Sequence, residues 1–206
     1  MARKRRPLSQ FCLTEGFLMK LFRNIEVEAD GQYSVGDVIS FTLTDGEEVE
    51  ALAVKQEWDG MIFILLDCMR KEYRMNHSRS NRGGYKKSVL RKTLCTKILE
   101  RFPSEIHEKM IAFDNGDLLR LPTEREIFGL NSHGETEPEN VEQWEPMKNR
   151  HNRIAFLGKR TNKLEWYWLQ NKGEGSSAYF SYVYDIGFAS SGIASEPRGV
   201  RPVFKI

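Results

Sequence analysis

Three carboxylates lie close together in the chain, Asp117, Glu124 and Glu126, and are of the type that general acid–base catalysis uses. Each also has a structural explanation. Asp117 lies at the end of a strand-like run, and Glu124 and Glu126 lie where a helix is predicted to begin. The sequence contains no Gly-x-Ser-x-Gly nucleophile motif and no Walker or dinucleotide-binding motif. We therefore predict that the protein is not an enzyme.

Residues that often bind metals are scattered along the chain: His77, His107, His133, His151, Cys12, Cys68 and Cys95. No two of them have the His-x-x-x-His or Cys-x-x-Cys spacing that places two ligands side by side. A free cysteine is usually a small, buried, apolar side chain, and the runs around Cys68 and Cys95 fit that role. The sequence predicts no metal site and no cofactor.

A basic stretch runs from Arg70 to Lys109, with twelve Lys or Arg against four Glu. Its first part contains seven cations that could follow a phosphate backbone: Arg70, Lys71, Arg74, Arg79, Arg82, Lys86 and Lys87. Tyr73 and Tyr85 are candidates for stacking on bases, and Gly83-Gly84 permits a close approach. These residues predict nucleic-acid binding as one function, although a charged run is also typical of a solvated face. In contrast, the segment 135–145 carries five Glu and no Lys or Arg.

Eight aromatic residues fall within 23 positions of the C-terminal part: Trp166, Tyr167, Trp168, Tyr179, Phe180, Tyr182, Tyr184 and Phe188. Strand alternation sends neighbours to opposite faces, so about half of them are expected in the core. On this pattern Trp166, Trp168, Phe180 and Tyr182 are not expected to share one face. Exposed Tyr and Trp would anchor a protein or glycan partner. The alternative is that nearly all of them pack inside.

The elements that must position these residues begin with a three-stranded meander. Val38 to Leu43 and Val49 to Trp58 alternate between apolar and polar residues, and Met61 to Asp67 is a continuous apolar run typical of a central strand. Asp45-Gly46 and Asp59-Gly60 separate these runs, and Asp-Gly is a strong hairpin signal.

Further along, the predicted elements are a loop (70–85), a helix (86–102), a second helix starting at Pro103 (103–111), a strand (117–121), a capped helix (123–129) and a surface excursion (130–150). Residues 1–33 are predicted to be a basic extension with a short helix over 9–23, and residues 34–206 a single domain. A chain without an apolar signal core or a long apolar run is predicted to be cytoplasmic and not to span a membrane.

Several short patterns occur in a recurring order: Val35-Gly-Asp37, Ser88-Val-Leu-Arg91, Leu118-Leu-Arg-Leu-Pro-Thr-Glu-Arg-Glu126, Tyr167-Trp-Leu169, Tyr182-Val-Tyr-Asp-Ile-Gly187 and Gly199-Val-Arg-Pro-Val-Phe204. Together they resemble an uncharacterised family of bacterial and phage proteins with a C-type-lectin-like fold. The resemblance covers roughly residues 34–206. Its most specific piece is the terminal Gly-Val-Arg-Pro.

The resemblance implies an α+β fold shared with formylglycine-generating enzymes and with the variable proteins of diversity-generating retroelements. In that fold the aromatic strand and the Gly-Val-Arg-Pro strand lie in the central sheet, and the loops between them, here 170–178 and 188–198, form the ligand surface. The resemblance does not imply the activity of either group. Because the sequence combines an aromatic scaffold with no catalytic constellation, we predict a noncatalytic module that binds a protein or glycan. The candidate ligand residues are Trp166, Trp168, Gln170, Asn171, Tyr179, Tyr182, Tyr184 and Arg198.

The chemistry of the related folds does not carry over to this sequence. Formylglycine-generating enzymes use a pair of active-site cysteines that bind copper. In this sequence all three cysteines lie upstream of the segment where such a pair would fall. Calcium needs clustered oxygen ligands, and the C-terminal loops offer only Glu174, Asp185 and Glu196. Arg201 is expected to be structural, bonding loop carbonyls or a carboxylate such as Asp185. Nucleic-acid binding through 70–92 is the alternative function, and an undiscovered enzyme is the third.

Overall fold

The computed structural model describes residues 33–159 and 161–206. The helix predicted over 9–23, Cys12 and nearly all of the N-terminal extension lie outside the described residues. The architecture is α+β, with antiparallel sheets and short helices. Within the described ranges no helix has both the length and the apolar character needed to cross a membrane.

The strands are, in chain order, β1 (Val38–Thr42), β2 (Glu48–Gln56), β3 (Met61–Leu65), β4 (Tyr73–Arg74), β5 (Ala155–Phe156), β6 (Leu164–Glu165), β7 (Tyr167–Lys172), β8 (Tyr179–Val183), β9 (Ala189–Ile193), β10 (Pro197–Arg198) and β11 (Val203–Lys205). The α-helices are α1 (Val89–Thr93), α2 (Ser104–His107) and α3 (Glu124–Phe128). A four-stranded sheet has the order β1-β2-β3-β11, and a three-stranded sheet has the order β7-β8-β9. The predicted meander is confirmed, and β11 joins it beside β3.

Strand β3 is buried on both faces, as its continuous apolar run predicts. Phe63 and Leu65 face a first core, which also contains Leu94 and Ile98 of the helical segment. The opposite face contacts a second core with the members Val38, Leu52, Val54, Ile62, Ile64, Leu66, Cys68, Ile127, Trp144, Met147, Ala155, Tyr167, Leu169, Val183 and Val203. The three-stranded sheet contributes side chains to both cores, so the two sheets share both cores.

The helix predicted over 86–102 is present but composite. Tyr85–Lys87 is a 3₁₀ turn, α1 follows, Leu94–Ile98 is π-helical, and Leu99–Arg101 is again 3₁₀. Ser88 begins α1 by accepting a hydrogen bond from the Arg91 amide at 3.0 Å. The second predicted helix ends early, at His107 rather than at 111. The Ile111 amide instead donates to the Lys205 carbonyl at the end of β11.

Two other predictions need correction. Residues 117–121 do not form a strand, because only Arg120 pairs with Val203, while the Leu121 amide donates to the Tyr85 hydroxyl. The stretch 130–150 is not confined to the surface, since Trp144 and Met147 are buried in the second core. The capped helix is confirmed as α3 with a capping box and a left-handed residue at its C-terminal end.

The terminal Gly-Val-Arg-Pro segment connects the two sheets. Gly199 packs against Cys68, which follows β3 in the chain. A Cβ atom at position 199 would come within 2.5 Å of the Cys68 sulfur. Arg201 is fully buried and donates to the carbonyls of Leu65 and Asn152 and to the Tyr167 hydroxyl. Loop carbonyls were expected as partners of Arg201, and the structure has them. No bond to the alternative carboxylate Asp185 is present among the described residues.

Candidate functional site

The seven cations of the basic loop, which we define as residues 70–87, are all exposed to solvent: Arg70, Lys71, Arg74, Arg79, Arg82, Lys86 and Lys87. No ion pair joins any of them to a carboxylate within the described ranges. From residue 73 to residue 99 the chain contains no Asp or Glu at all. The loop therefore presents positive charge that forms no ion pair with a described carboxylate, and Asp45 and Glu47 are the acidic residues that line a pocket together with its Arg70 and Lys71.

Buried anchors hold the backbone of the basic loop in place. Met75 is fully buried in the first core. The Asn76 side chain donates to the Ser80 carbonyl at 2.7 Å and accepts from the Val89 amide at 3.1 Å. Asn81, which is 3% exposed, donates through its side chain to the carbonyls of Ser176 and Tyr179. The cations consequently project from an ordered segment rather than from a free tether.

The two tyrosines of the basic loop do not offer open rings. Tyr85 is buried, its hydroxyl accepts from the Leu121 amide, and burial raises the pKa of Tyr85. Tyr73 is half-buried under the Lys71 ammonium, 5.3 Å from the ring centre. The predicted stacking of Tyr85 on a base is therefore wrong, because its ring fills the core beside the start of α1.

Four aromatic side chains of the β7–β8 pair and its approach share a face, contrary to expectation: Trp166, Trp168, Phe180 and Tyr182. Trp168 lies directly opposite Tyr182, and alternation places Trp166 and Phe180 on the same side. Trp168, Phe180 and Tyr182 belong to the first core, with Trp166 and Tyr184 packed against it. Tyr167, on the opposite face, lies in the second core. Of the eight candidate ligand residues, only Tyr179 is classed as exposed, at 38%.

Arg198 lies inside this aromatic cluster. Its guanidinium carbon is 4.0 Å from the centre of the Tyr182 ring and 5.0 Å from the centres of Trp166 and Trp168. It forms an ion pair with Glu196 at 2.7 Å, and burial lowers the pKa of Arg198. Cation–π contact and the ion pair thus compensate a buried charge. The arrangement holds β10 against the sheet and leaves Arg198 with little surface for a ligand.

The remaining predicted residues, Gln170 and Asn171, line a cleft of about 470 Å³. One wall comes from the basic loop and α1, through Gly84, Tyr85, Lys86 and Arg91, and the other from the segment 135–138. Residues of the predicted ligand site, Gln170 and Asn171, and of the predicted nucleic-acid site, Lys86, therefore line the same cleft. The cleft also contains Glu135 and Glu137, which sequence reasoning recognised only as members of an acidic block.

Comparison with known proteins identifies the chain's family. A family model described as a domain of unknown function, DUF6273, matches residues 59–206. The chain belongs to the DUF6273 family. No curated protein and no solved structure matches it. The DUF6273 match contains the basic loop, the cleft and β11, whereas β1 and β2 precede it and complete the same sheet.

Most charged groups of the DUF6273 cleft already have partners. Arg91 forms a bidentate pair with Asp117, both bonds at 2.7 Å, and Lys172 lies 2.6 Å from Glu135. The fixed pairs stabilise the walls. Lys86 differs, because the described residues give it no carboxylate partner. Of the three cations that line this polar cleft in the described part of the chain, Lys86 alone has no carboxylate partner.

The two described cysteines of the DUF6273 domain are poor nucleophiles. Cys68 is fully buried, which raises its pKa, and burial together with a hydrogen bond to Asp117 raises the pKa of Cys95 to about 11. No group of three or more metal-ligand side chains lies together among the residues that the structure describes.

We expect slow thiol labelling in a Cys12→Ser variant. With a pKa near 11 instead of 9, the thiolate fraction of Cys95 at pH 8 is about 100-fold smaller. The rate with Ellman's reagent should keep rising about tenfold per pH unit between pH 8 and 10, because the thiol stays mostly protonated there. The urea-unfolded variant serves as the control. A plateau at pH 9 in the folded protein would contradict this assignment.

Proposed function

We propose that the domain is a noncatalytic nucleic-acid-binding module whose basic loop contacts the phosphate backbone. The observation that carries the proposal is the set of seven exposed cations without carboxylate partners among the described residues. Their positions are set by the buried residues Met75 and Asn81 and by the hydrogen bonds of the partly buried Asn76. A rigid array of charge loses less entropy on binding than a free tether does.

Electrostatics explains why a polyanion fits this surface. Like charges on one short segment without ion-pair partners repel one another, whereas several Arg and Lys residues elsewhere on the domain are paired, as in Arg101 with Glu47 and Lys205 with Asp59. A phosphate backbone would remove this repulsion and release its own counterions. Gly83 and Gly84 have positive φ values of 86° and 61°, which favour glycine, and the aliphatic part of Lys87 packs against Gly83.

The fold variant, the origin and the cellular location of the protein are also proposals. We infer a C-type-lectin-like variant of the α+β fold, a bacterial or phage origin and a cytoplasmic location. The α+β architecture and the position of Gly199–Pro202 between the two sheets support the first. Free thiols with raised pKa values at Cys68 and Cys95 suit a reducing compartment.

The test is the salt dependence of oligonucleotide binding. We expect fluorescence anisotropy with labelled single-stranded 12-mers of DNA and RNA to give a slope of log affinity against log salt of about −5, if all seven cations contact phosphates. Heparin should compete. Binding that is insensitive to salt, or no binding at 50 mM salt, would exclude the proposal.

A second candidate is recognition of a protein or glycan by the C-terminal loops. The exposed ring of Tyr179 favours it, because Tyr179 lies beside the loop 170–178 and its carbonyl accepts from the Gly173 amide. A glycan array probed with the domain and with its Tyr179→Ala variant separates the two functions. A salt-insensitive signal lost in the variant would favour this candidate.

A further inference from the structure

The cleft at the end of the basic loop has two chemically different walls. Lys86 supplies a free ammonium on one side. Glu137 lines the other side, next to Glu135, whose charge is paired with Lys172 at 2.6 Å, and the side chains of Gln170 and Asn171 also line the cleft. A phosphate is attracted to the first wall and repelled by the second. The cleft therefore suits a ligand with an anionic end and a neutral end that donates hydrogen bonds.

Glu137 is held for such a role by its own hydrogen bonds. Its Oε1 accepts from the Arg125 amide at 3.1 Å, from Asn131 Nδ2 at 3.0 Å and from Asn171 Nδ2 at 2.6 Å. Its Oε2 accepts no hydrogen bond from any described residue. Three donors on one oxygen fix the carboxylate, and the other oxygen remains as a preorganised acceptor.

The volume of the cleft, about 470 Å³, lies within the range of small-molecule pockets, roughly 300 to 1,000 Å³. We propose that this cleft binds one unpaired, amino-bearing nucleobase, with the adjoining phosphates on the basic loop and the base amino group donating to Glu137 Oε2. This inference rests on the proposed function. It adds the class of nucleic acid, which is single-stranded, and a base preference.

Both additions follow from the chemistry of the bases. In a duplex the amino group of cytosine is engaged in pairing, so only an unstacked base reaches a cleft of this kind. Cytosine presents an amino donor at the position where thymine presents a carbonyl oxygen. A carboxylate oxygen accepts from the first and repels the second. The site should thus prefer cytosine to thymine in chains of equal charge.

The test compares single-stranded dC and dT 12-mers at pH 8 by fluorescence anisotropy. For the unmodified domain we expect the dC 12-mer to bind roughly tenfold more tightly than the dT 12-mer. An abasic 12-mer, which keeps the phosphates, should bind no more tightly than dT. These three ligands test the inference without any change to the protein.

Glu137→Gln is the matching variant, because it places an amide donor where Oε2 accepts. The dC-to-dT ratio should fall to about one or below, since an amide N–H favours the thymine carbonyl. Glu139→Gln is the control, because Glu139 is exposed on the same segment, outside the cleft, and loses the same charge. Its ratio should stay at the unmodified value, and thermal unfolding should confirm that both variants are folded.

The outcomes separate this inference from the proposed function. If neither oligonucleotide binds, the proposed function fails. If dC, dT and abasic chains bind equally with a steep salt dependence, the basic loop binds nucleic acid and the nucleobase site is overturned. A dC preference that survives Glu137→Gln would also overturn the role of Glu137, because the preference would then arise elsewhere.

Discussion

Replacing Arg79, Arg82, Lys86 and Lys87 together by alanine is expected to weaken binding of a single-stranded 12-mer about 1,000-fold at low salt. All four residues are exposed. Each cation near a phosphate in water contributes about 1 kcal/mol, and about 1.4 kcal/mol corresponds to a tenfold change in affinity. Four losses therefore give close to three orders of magnitude, and the slope of log affinity against log salt should become shallower by about 3.

A matched variant distinguishes this local effect from the loss of net charge. Lys55, Lys109, Lys148 and Arg150 are exposed cations outside the basic loop. Replacing these four by alanine removes the same total charge, and affinity should fall by less than about fivefold, since charges beyond one Debye length are screened. Equal losses in the two variants would show that binding depends on overall charge, and the basic loop would lose its assigned role.

Replacing Arg201 by alanine is expected to lower the free energy of unfolding by about 4 kcal/mol. The side chain is fully buried, so its loss leaves a cavity. It also leaves the Leu65 carbonyl, at 2.8 Å from Arg201 Nε, and the Tyr167 hydroxyl, at 2.9 Å from Nη1, without their donor. Each buried group that loses its donor costs about 1 to 3 kcal/mol.

Urea unfolding followed by tryptophan fluorescence measures this effect. Arg201→Lys keeps the charge but not the planar fork, so its loss should be intermediate. Arg74→Ala, on the exposed basic loop, is the control and should change stability by less than about 0.5 kcal/mol. A loss below about 1 kcal/mol for Arg201→Ala would show that water replaces its donors and that the segment is less closed than the structure indicates.

The local features of the fold were predictable because their causes are local. Asp-Gly turns and alternation define the meander, the apolar run of β3 marks the strand that is buried on both faces, and Thr123 with Glu126 marks the start of α3. These signals need only neighbours in sequence. The strand prediction for 117–121 was wrong, because Arg120 alone in that segment pairs with a strand, through Val203 of β11. This pairing is long-range, so no local sequence pattern reveals it.

The candidate site was only partly predictable, because it is assembled from distant segments. Gln170, Asn171 and Lys86 were identified, but for two rival functions, and only the folded chain brings them to one cleft. Glu137 had no signal of its own apart from the acidic block. Conversely, Trp168 and Tyr182 were candidate ligand residues because they are aromatic, yet tertiary packing places them in the core.

Strand β11 completes the main sheet by pairing with β3, which lies about 140 residues earlier in the chain. The sheet's edge at β3 therefore stays open while the intervening residues leave the ribosome. Such long-range pairing is slow to form, because the closure of a long loop precedes any gain in contacts. During synthesis the apolar edge of β3 would be exposed to other chains for many seconds. The charged loop that follows it at residue 70 is well placed to keep the nascent chain in solution during that interval.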